Sequence, residues 1–369
     1  MTYFALNILI LLVCFIYIPI EKLVDNKLKK ILLFILIFIC SGIYAYRPLD
    51  TPDTEGYKIL FENSEYIIKN IQNWNVFQKY GGYEYGYIFL NYFLKNFISN
   101  YRIFFWVTSF FIIYFCVNEL KIFTQKYCGD TSEDRALILL SFLSYFGLAY
   151  AGVALRAGLG ITLGLMFINS LLNKKYIRGL VFFSLGFLMQ RSIIAFLIIA
   201  LVLKLKIPVK PKTSVWISLL EGMLLILNFG KMTFQYIAVW LGALLNILGL
   251  TSYLSYMYIG TDQSIGYMDI FLWVYMFVLV FSMAIALKKD NSSFNSLIII
   301  ILIGSGVLVF THGIRAIVRL VDIFLLFTIP VENHIFNLEN SKDNLMLKIV
   351  LIVFIILKII VMFNFAKLI

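Results

Sequence analysis

Apolar runs recur along this chain from residue 2 to residue 364, and nothing between them is long enough to be a soluble domain of ordinary size. A helix needs roughly 20 mostly apolar residues to cross a bilayer. Candidate spans lie at 2–20, 31–46, 102–122, 136–152, 157–172, 176–190, 192–206, 213–230, 267–287, 295–312, 315–331 and 345–364. They predict an all-α polytopic integral membrane protein of about 12 transmembrane helices, forming a single transmembrane domain over residues 1–369. Composition agrees: only 14% of residues are charged, against about a quarter in soluble domains. Two further apolar stretches, 85–98 and 233–250, are read as interfacial or re-entrant segments. The N-terminal run has no basic leader and no small-residue cleavage site, and is expected to be a retained helix.

The net charge of +11 does not point to nucleic acid, because no nucleic-acid recognition motif accompanies it. Lysine clusters instead fall in alternate short loops: 21–30, 173–178, 204–212 and 288–289. The positive-inside rule assigns these loops to the cytoplasm. Both termini are then outward, and so are two longer segments, 47–101 and 251–266. The four cysteines are scattered, with no C-x-x-C pair, and read as packing residues. No Walker A and no glycine-rich dinucleotide motif is present, so the chain carries no nucleotide-driven motor of its own. No cofactor is expected.

The segment 47–101 opens with "RPLDTPDTEGYKILF". Tyr57, Leu60, Phe61, Ile67, Ile68 and Ile71 have the spacing of one helical face. An amphipathic helix lying on the membrane surface is predicted, with Thr54 as a cap and Pro52 just upstream. Asp53 is positioned either to cap this helix or to pair with Arg47. "KYGGYEYGYIFLNYF" follows, where glycines permit tight turns and tyrosines suit a wet boundary.

Arginine is used differently from lysine. Of eight arginines, Arg135 and Arg178 fall on the cytoplasmic side. The other six, Arg47, Arg102, Arg156, Arg191, Arg315 and Arg319, lie at or just inside the outward face in this topology. Topogenic bias runs against that placement. Arg47 and Arg102 flank helices, where snorkelling to headgroups is an alternative, and Arg319 has Asp322 three residues on. Arg156, Arg191 and Arg315 sit among apolar residues, where ionisable groups mark a site or a pathway. A planar guanidinium matches phosphate oxygens two at a time. An outward cavity binding a lipid-linked phosphate or pyrophosphate is the expectation.

"RPLDTPDTEGYKILF" resembles the outward-loop signature of Wzy-type O-antigen and exopolysaccharide polymerases, specifically the EpsG-like family, with Asp53, Tyr57 and Phe61 in the places of its Asp, Tyr and Phe. "YEYGY" resembles a later acidic–glycine element, with Glu84 as the acid. The stretch from "VALRAGLGITLG" through "GFLMQRSIIAF" resembles the family's arginine helix, basic hairpin and His-basic-Ser opening, and "IVRLVDIFLLFTIP" its late arginine helix. The similarity covers most of the chain. One departure is Gln190, where the family carries histidine; an amide does not take up a proton near neutral pH.

The resemblance implies a GT-C-like membrane glycosyltransferase in the bacterial inner membrane, its active site facing the periplasm. It would transfer a growing glycan from undecaprenyl pyrophosphate to a sugar hydroxyl of a new lipid-linked repeat unit. Arg156, Arg191, Arg315, Arg319 and Arg47 are then candidates for the pyrophosphate. Asp53, Glu84 and His312 are candidates for catalysis, with Asp262 and Asp269 as further acids, and Tyr57, Gln190 and Tyr83 for the glycan. No metal site stands out, and metal-independent transfer is expected. Besides the lipid-linked oligosaccharide and membrane lipids, a chain-length regulator is an expected partner; nucleic acid is not. The alternatives are an O-antigen ligase sharing the same donor and a non-enzymatic flippase of lipid-linked oligosaccharides. A membrane O-acyltransferase is more distant, since it would favour a buried histidine in an inward-facing set.

Overall fold

The computed structural model describes residues 3–73, 83–129, 134–230, 233, 266–286, 292–311, 315–338 and 342–365. Among these residues the secondary structure is helical, and nine helices are long and apolar enough to cross a membrane. The protein is therefore a multi-pass membrane protein. Its residues form two compact units, Met1–Phe196 with Leu351–Ile369, and Leu197–Val350.

The first unit begins with α1 (Tyr3–Leu23) and α2 (Asn26–Ala45). Asp25 starts α2: its carboxylate accepts from Leu28 N at 2.9 Å, satisfying one of the first-turn amides. Asp25→Ala is expected to lower stability by about 1 kcal/mol, read as a lower unfolding midpoint in lipid nanodiscs. Two short helices follow, α3 (Thr54–Glu62) and α4 (Ser64–Lys69), then α5 (Tyr85–Lys95) and the long α6 (Tyr101–Cys128). Glu21 accepts from Arg135 N and Ala136 N, both at 2.8 Å, and so caps α7 (Ala136–Phe142) from the end of α1. Without a break α7 becomes a π-helical segment, Leu143–Val153, and then α8 (Leu155–Leu172). These form the interior of the unit: 94% of the span Ala136–Val153 is buried, against 28% of α1. The low figure marks α1 as a peripheral helix with its apolar side chains turned outward, as a lipid-facing helix requires.

A basic hairpin turn joins α8 to α9 (Tyr176–Met189), with Lys174 at φ 59 and Lys175 N donating to Ser170 O at 2.8 Å. Helix α9 buries only Gly179 and Gly186, both against α8. It ends at Gln190, whose backbone is extended (φ −157, ψ 117), and a 3₁₀ turn, Arg191–Ile194, leads into α10 (Ala195–Leu205).

The second unit contains α11 (Pro211–Ile226), α12 (Tyr267–Ala286), α13 (Ser292–Thr311), α14 (Arg315–Leu325) and α15 (Thr328–Asn337). Trp273 Nε1 donates to Ser218 O at 3.1 Å, tying α12 to α11. Two polar knots lie in this apolar bundle. The Ser305 hydroxyl donates to Glu221, and the Tyr275 hydroxyl bridges Thr328 and Glu332. The last helix, α16 (Lys342–Phe365), carries residues of both units.

Among the described residues the predicted spans fall on helix, but three of the twelve meet helices that are not among the nine long enough to cross a membrane. Helices α9, α10 and α11 have 14, 11 and 16 residues. The causes are local: the extended Gln190, the positive φ of Lys206 just past α10, Pro208 before α11 and Pro211 at its first position. The predicted span 315–331 is also two helices, parted at Leu326–Phe327. The helix predicted in the 47–101 segment is present as two short helices, α3 and α4; Tyr57, Leu60, Phe61 and Ile67 of its expected face are buried, while Ile68 and Ile71 are half-buried and Ile71 lies past the end of α4. Its cap differs from the expectation. Asp53, not Thr54, stands at the N-cap, in a left-handed conformation (φ 62) that leaves its carboxylate without a capping bond.

Candidate functional site

Arg47 sets one wall of the candidate site. It follows α2, is 1% exposed, and does not snorkel outward. Its Nε donates to Thr54 Oγ1 at 2.8 Å, Nη1 donates to Tyr44 O at 3.1 Å, and the guanidinium lies 4.3 Å from the Phe105 ring centre. These bonds explain why Thr54 does not cap its own helix: its hydroxyl is engaged by Arg47. They also replace the expected Arg47–Asp53 pair, which does not form. Burial lowers the pKa of Arg47, while Tyr3, Tyr87, Tyr57 and Asp53 favour its charged form; a guanidinium stays protonated under such opposing effects.

Three tyrosines stand next. Ring centres of Tyr57 and Tyr87 are 5.3 Å apart, Tyr57 and Tyr83 5.6 Å, and Tyr83 and Tyr87 6.1 Å. The three rings form a triangle at aromatic contact distance. Tyr57 comes from α3, Tyr87 from α5, and Tyr83 from the two residues leading into α5. Burial pushes the Tyr83 phenol up, Asp53 adds to the rise, and Arg156 opposes it, so the hydroxyl keeps its proton at neutral pH.

Arg156 forms the far wall. It occupies the first turn of α8, directly after the π segment closes with Ala154 N on Ala149 O at 2.7 Å. Its guanidinium lies 5.3 Å from the Tyr83 ring centre, and its Nη1 donates to the Glu84 carboxylate. Both side chains of this pair are 17% exposed. Arg156 Nε is buried with no hydrogen-bond acceptor among the described residues. Buried donors normally find partners, so a further acceptor is called for here. A helix N-terminus also favours negative charge, not the cation this helix itself supplies.

Two glycines draw the elements together. A Cβ at Gly86, in the first turn of α5, would lie 2.6 Å from Leu188 O, which brings α5 against the end of α9. A Cβ at Gly160 would lie 2.7 Å from Gln190 Cβ. Gly160 is one turn from Arg156 on the same face of α8, so Gln190 packs beside that face. Gln190 is 7% exposed, and its Oε1 is buried with no donor among the described residues. Arg191, the next residue, is exposed on the 3₁₀ turn.

The structure thus brings Arg47, Tyr57, Tyr83, Glu84, Arg156 and Gln190 into one region of the first unit, with Asp53 at its edge. Arg102 is apart from them, its guanidinium 5.0 Å from the Tyr46 ring centre and 5.4 Å from that of Tyr101. Arg315 and Arg319 belong to α14 of the second unit, where Arg319 is half-buried. Asp269, also in that unit, accepts from Gly266 N at 3.0 Å at the start of α12, a capping bond. His312, Asp262 and the segment 251–265 lie outside the described residues. Tyr87 and Gly86 were not among the site residues expected from sequence. The glycine's stretch reads from sequence as a glycine-rich turn, whereas the structure places Gly86 in the first turn of α5, where its missing Cβ makes room for Leu188 O.

The arrangement holds a half-buried guanidinium with an unfilled donor beside aromatic faces and a buried amide. It has the means to grip a doubly charged oxyanion and to stack and hydrogen-bond a sugar attached to it. A model of the EpsG family matches residues 30–369. No curated protein and no solved structure matches the chain.

Proposed function

Because the chain belongs to the EpsG family, a Wzy-like polymerase family, we propose that it polymerises lipid-linked oligosaccharide units through the site around Arg156. The family match makes it a polysaccharide polymerase of the Wzy type. The donor in this reading is a growing glycan on undecaprenyl pyrophosphate, and the acceptor is a sugar hydroxyl of the next lipid-linked unit. Transfer is metal-independent, on the periplasmic side of the bacterial inner membrane, and a chain-length regulator acts with the polymerase.

One observation supports this reading most: Arg156 stands at the start of a membrane-depth helix with a buried, unfilled donor. The reaction expels a diphosphate that gathers negative charge as the glycosidic bond breaks. A fixed cation is most effective where that charge develops. The half-buried Tyr83 ring supplies a face for the sugar next to the diphosphate, backed by the buried Tyr57 and Tyr87. Gln190 Oε1 supplies an acceptor for a glycan hydroxyl. Arg191, which follows Gln190 in the same unit, is assigned to the same diphosphate or to its lipid-linked counterpart on the acceptor.

The test uses purified protein in nanodiscs with synthetic lipid-diphosphate repeat units, with and without chelator. A ladder of products rising by one repeat unit, unaffected by chelator, is the expected outcome. A single addition to a different acceptor with no ladder would identify a ligase. Unmodified substrate, with labelled lipid crossing a liposome bilayer, would identify a flippase.

A further inference from the structure

The cation at the centre of the site is already occupied. Arg156 Nη1 is engaged by one oxygen of the Glu84 carboxylate, so in this arrangement the carboxylate is held against the cation. We propose that Glu84 is the proton acceptor of the transfer, held on Arg156 until an incoming diphosphate takes its place. The proposal rests on Arg156 as the diphosphate seat.

Three features of the site suit such an exchange. Glu84 stands at the N-cap of α5 in an extended conformation (φ −60, ψ 140), but its side chain makes no capping bond. Its departure from Arg156 therefore breaks no capping bond of α5. The Tyr83 ring under the guanidinium keeps Arg156 in position when the carboxylate leaves, because the attraction between cation and ring does not depend on Glu84. Finally, Arg156 Nε is buried with no acceptor among the described residues while Nη1 is taken. A carboxylate that filled the fork would leave no such donor. A diphosphate engages two nitrogens at once and so gains a bond that Glu84 does not make.

The step then runs as follows. The acceptor hydroxyl oxygen bonds to the anomeric carbon of the donor. The bond from that carbon to the diphosphate oxygen breaks, and its electron pair leaves on the diphosphate, against Arg156. The hydroxyl proton passes to the freed Glu84 carboxylate. Atoms and charge balance with no further reactant. The consequence is an order of events: the carboxylate leaves the cation for the hydroxyl once a donor is seated.

The test titrates full-length protein in nanodiscs with inorganic diphosphate by calorimetry. Glu84→Gln is expected to tighten binding about tenfold, the equivalent of one charge-assisted hydrogen bond no longer in competition. Glu55→Gln, which removes an exposed acid from α3, is expected to change affinity less than twofold. Despite tighter binding, Glu84→Gln and Glu84→Ala should transfer glycan more slowly, and added formate should partly restore Glu84→Ala. A role confined to packing would not respond to formate. Unchanged or weaker diphosphate binding in both Glu84 variants would overturn the exchange, and wild-type transfer rates in them would overturn the base. Arg156→Gln separates the two readings. If it binds diphosphate as the wild type does, the seat itself is misassigned; if binding is lost, the seat stands and the Glu84 results decide.

Discussion

Replacing Arg156 with alanine should lower the rate of glycan transfer about a thousandfold, the upper end of what one well-placed electrostatic donor contributes. Two effects act together. The developing diphosphate loses its fixed counter-charge, and the mostly buried Glu84 carboxylate loses its partner. Stranding one member of a buried pair is strongly destabilising, by about 3–5 kcal/mol. The two are separable. Arg156→Ala combined with Glu84→Gln removes the stranded charge, so the unfolding midpoint should recover while transfer does not. Arg156→Lys keeps a charge without the planar fork and should fall between alanine and wild type. The measurement is the initial rate of product-ladder growth on lipid-linked repeat units, beside thermal unfolding in nanodiscs. Full activity in Arg156→Ala would remove this residue from the reaction.

Gly158→Ala should destabilise the protein by about 3 kcal/mol, as an overpacking substitution. Helix propensity alone predicts the opposite sign, since alanine in a helix interior is favoured over glycine by up to 1 kcal/mol. The decisive contact is to backbone. A Cβ at Gly158 would lie 2.2 Å from Tyr150 O, in the π segment that leads into the same helix. A carbonyl oxygen there cannot swing aside as a side-chain tip would. The first turn of α8 must then part from the π segment, and Arg156 rides on that turn. A lower unfolding midpoint and weaker diphosphate binding should therefore appear together. A midpoint equal to or above the wild-type value would show that the two segments separate at little cost.

What could be read in the sequence depended on the range of the interaction. The buried face of α3 and α4 follows from spacing within fifteen residues, and Tyr57, Leu60, Phe61 and Ile67 were legible for that reason. The contrast between arginine and lysine singled out Arg156, because a guanidinium in apolar company needs an explanation wherever it folds. The Arg156–Glu84 pair joins residues 72 apart in sequence, and no local pattern announces it. The same holds for Arg47 and Thr54. Thr54 has the residue type and place of a helix cap, and tertiary structure redirects its hydroxyl to a buried cation. Asp53 takes the left-handed conformation that aspartate tolerates better than most residues, which turned a plausible cap into a bare one. The π segment was hidden for another reason. "LSYFGLAYAGV" is apolar on every side and buried on every side, so it carries no face from which a period could be read.

Helix α9 has a consequence for the surrounding lipid. Fourteen residues rise only about 21 Å, well under the roughly 30 Å hydrocarbon thickness of a bilayer. Whichever leaflet it enters from, its end at Gln190 stops short of the opposite surface. Only glycines of this helix are buried, so its other flank is bare to acyl chains. The bilayer there must pinch inward or leave the polar turn at Gln190 and Arg191 below the headgroups. Either way the hydrophobic mismatch opens a notch beside this helix, and the lipid-linked donor proposed above would use it to keep its tail dissolved in lipid while its charged end reaches the protein sideways.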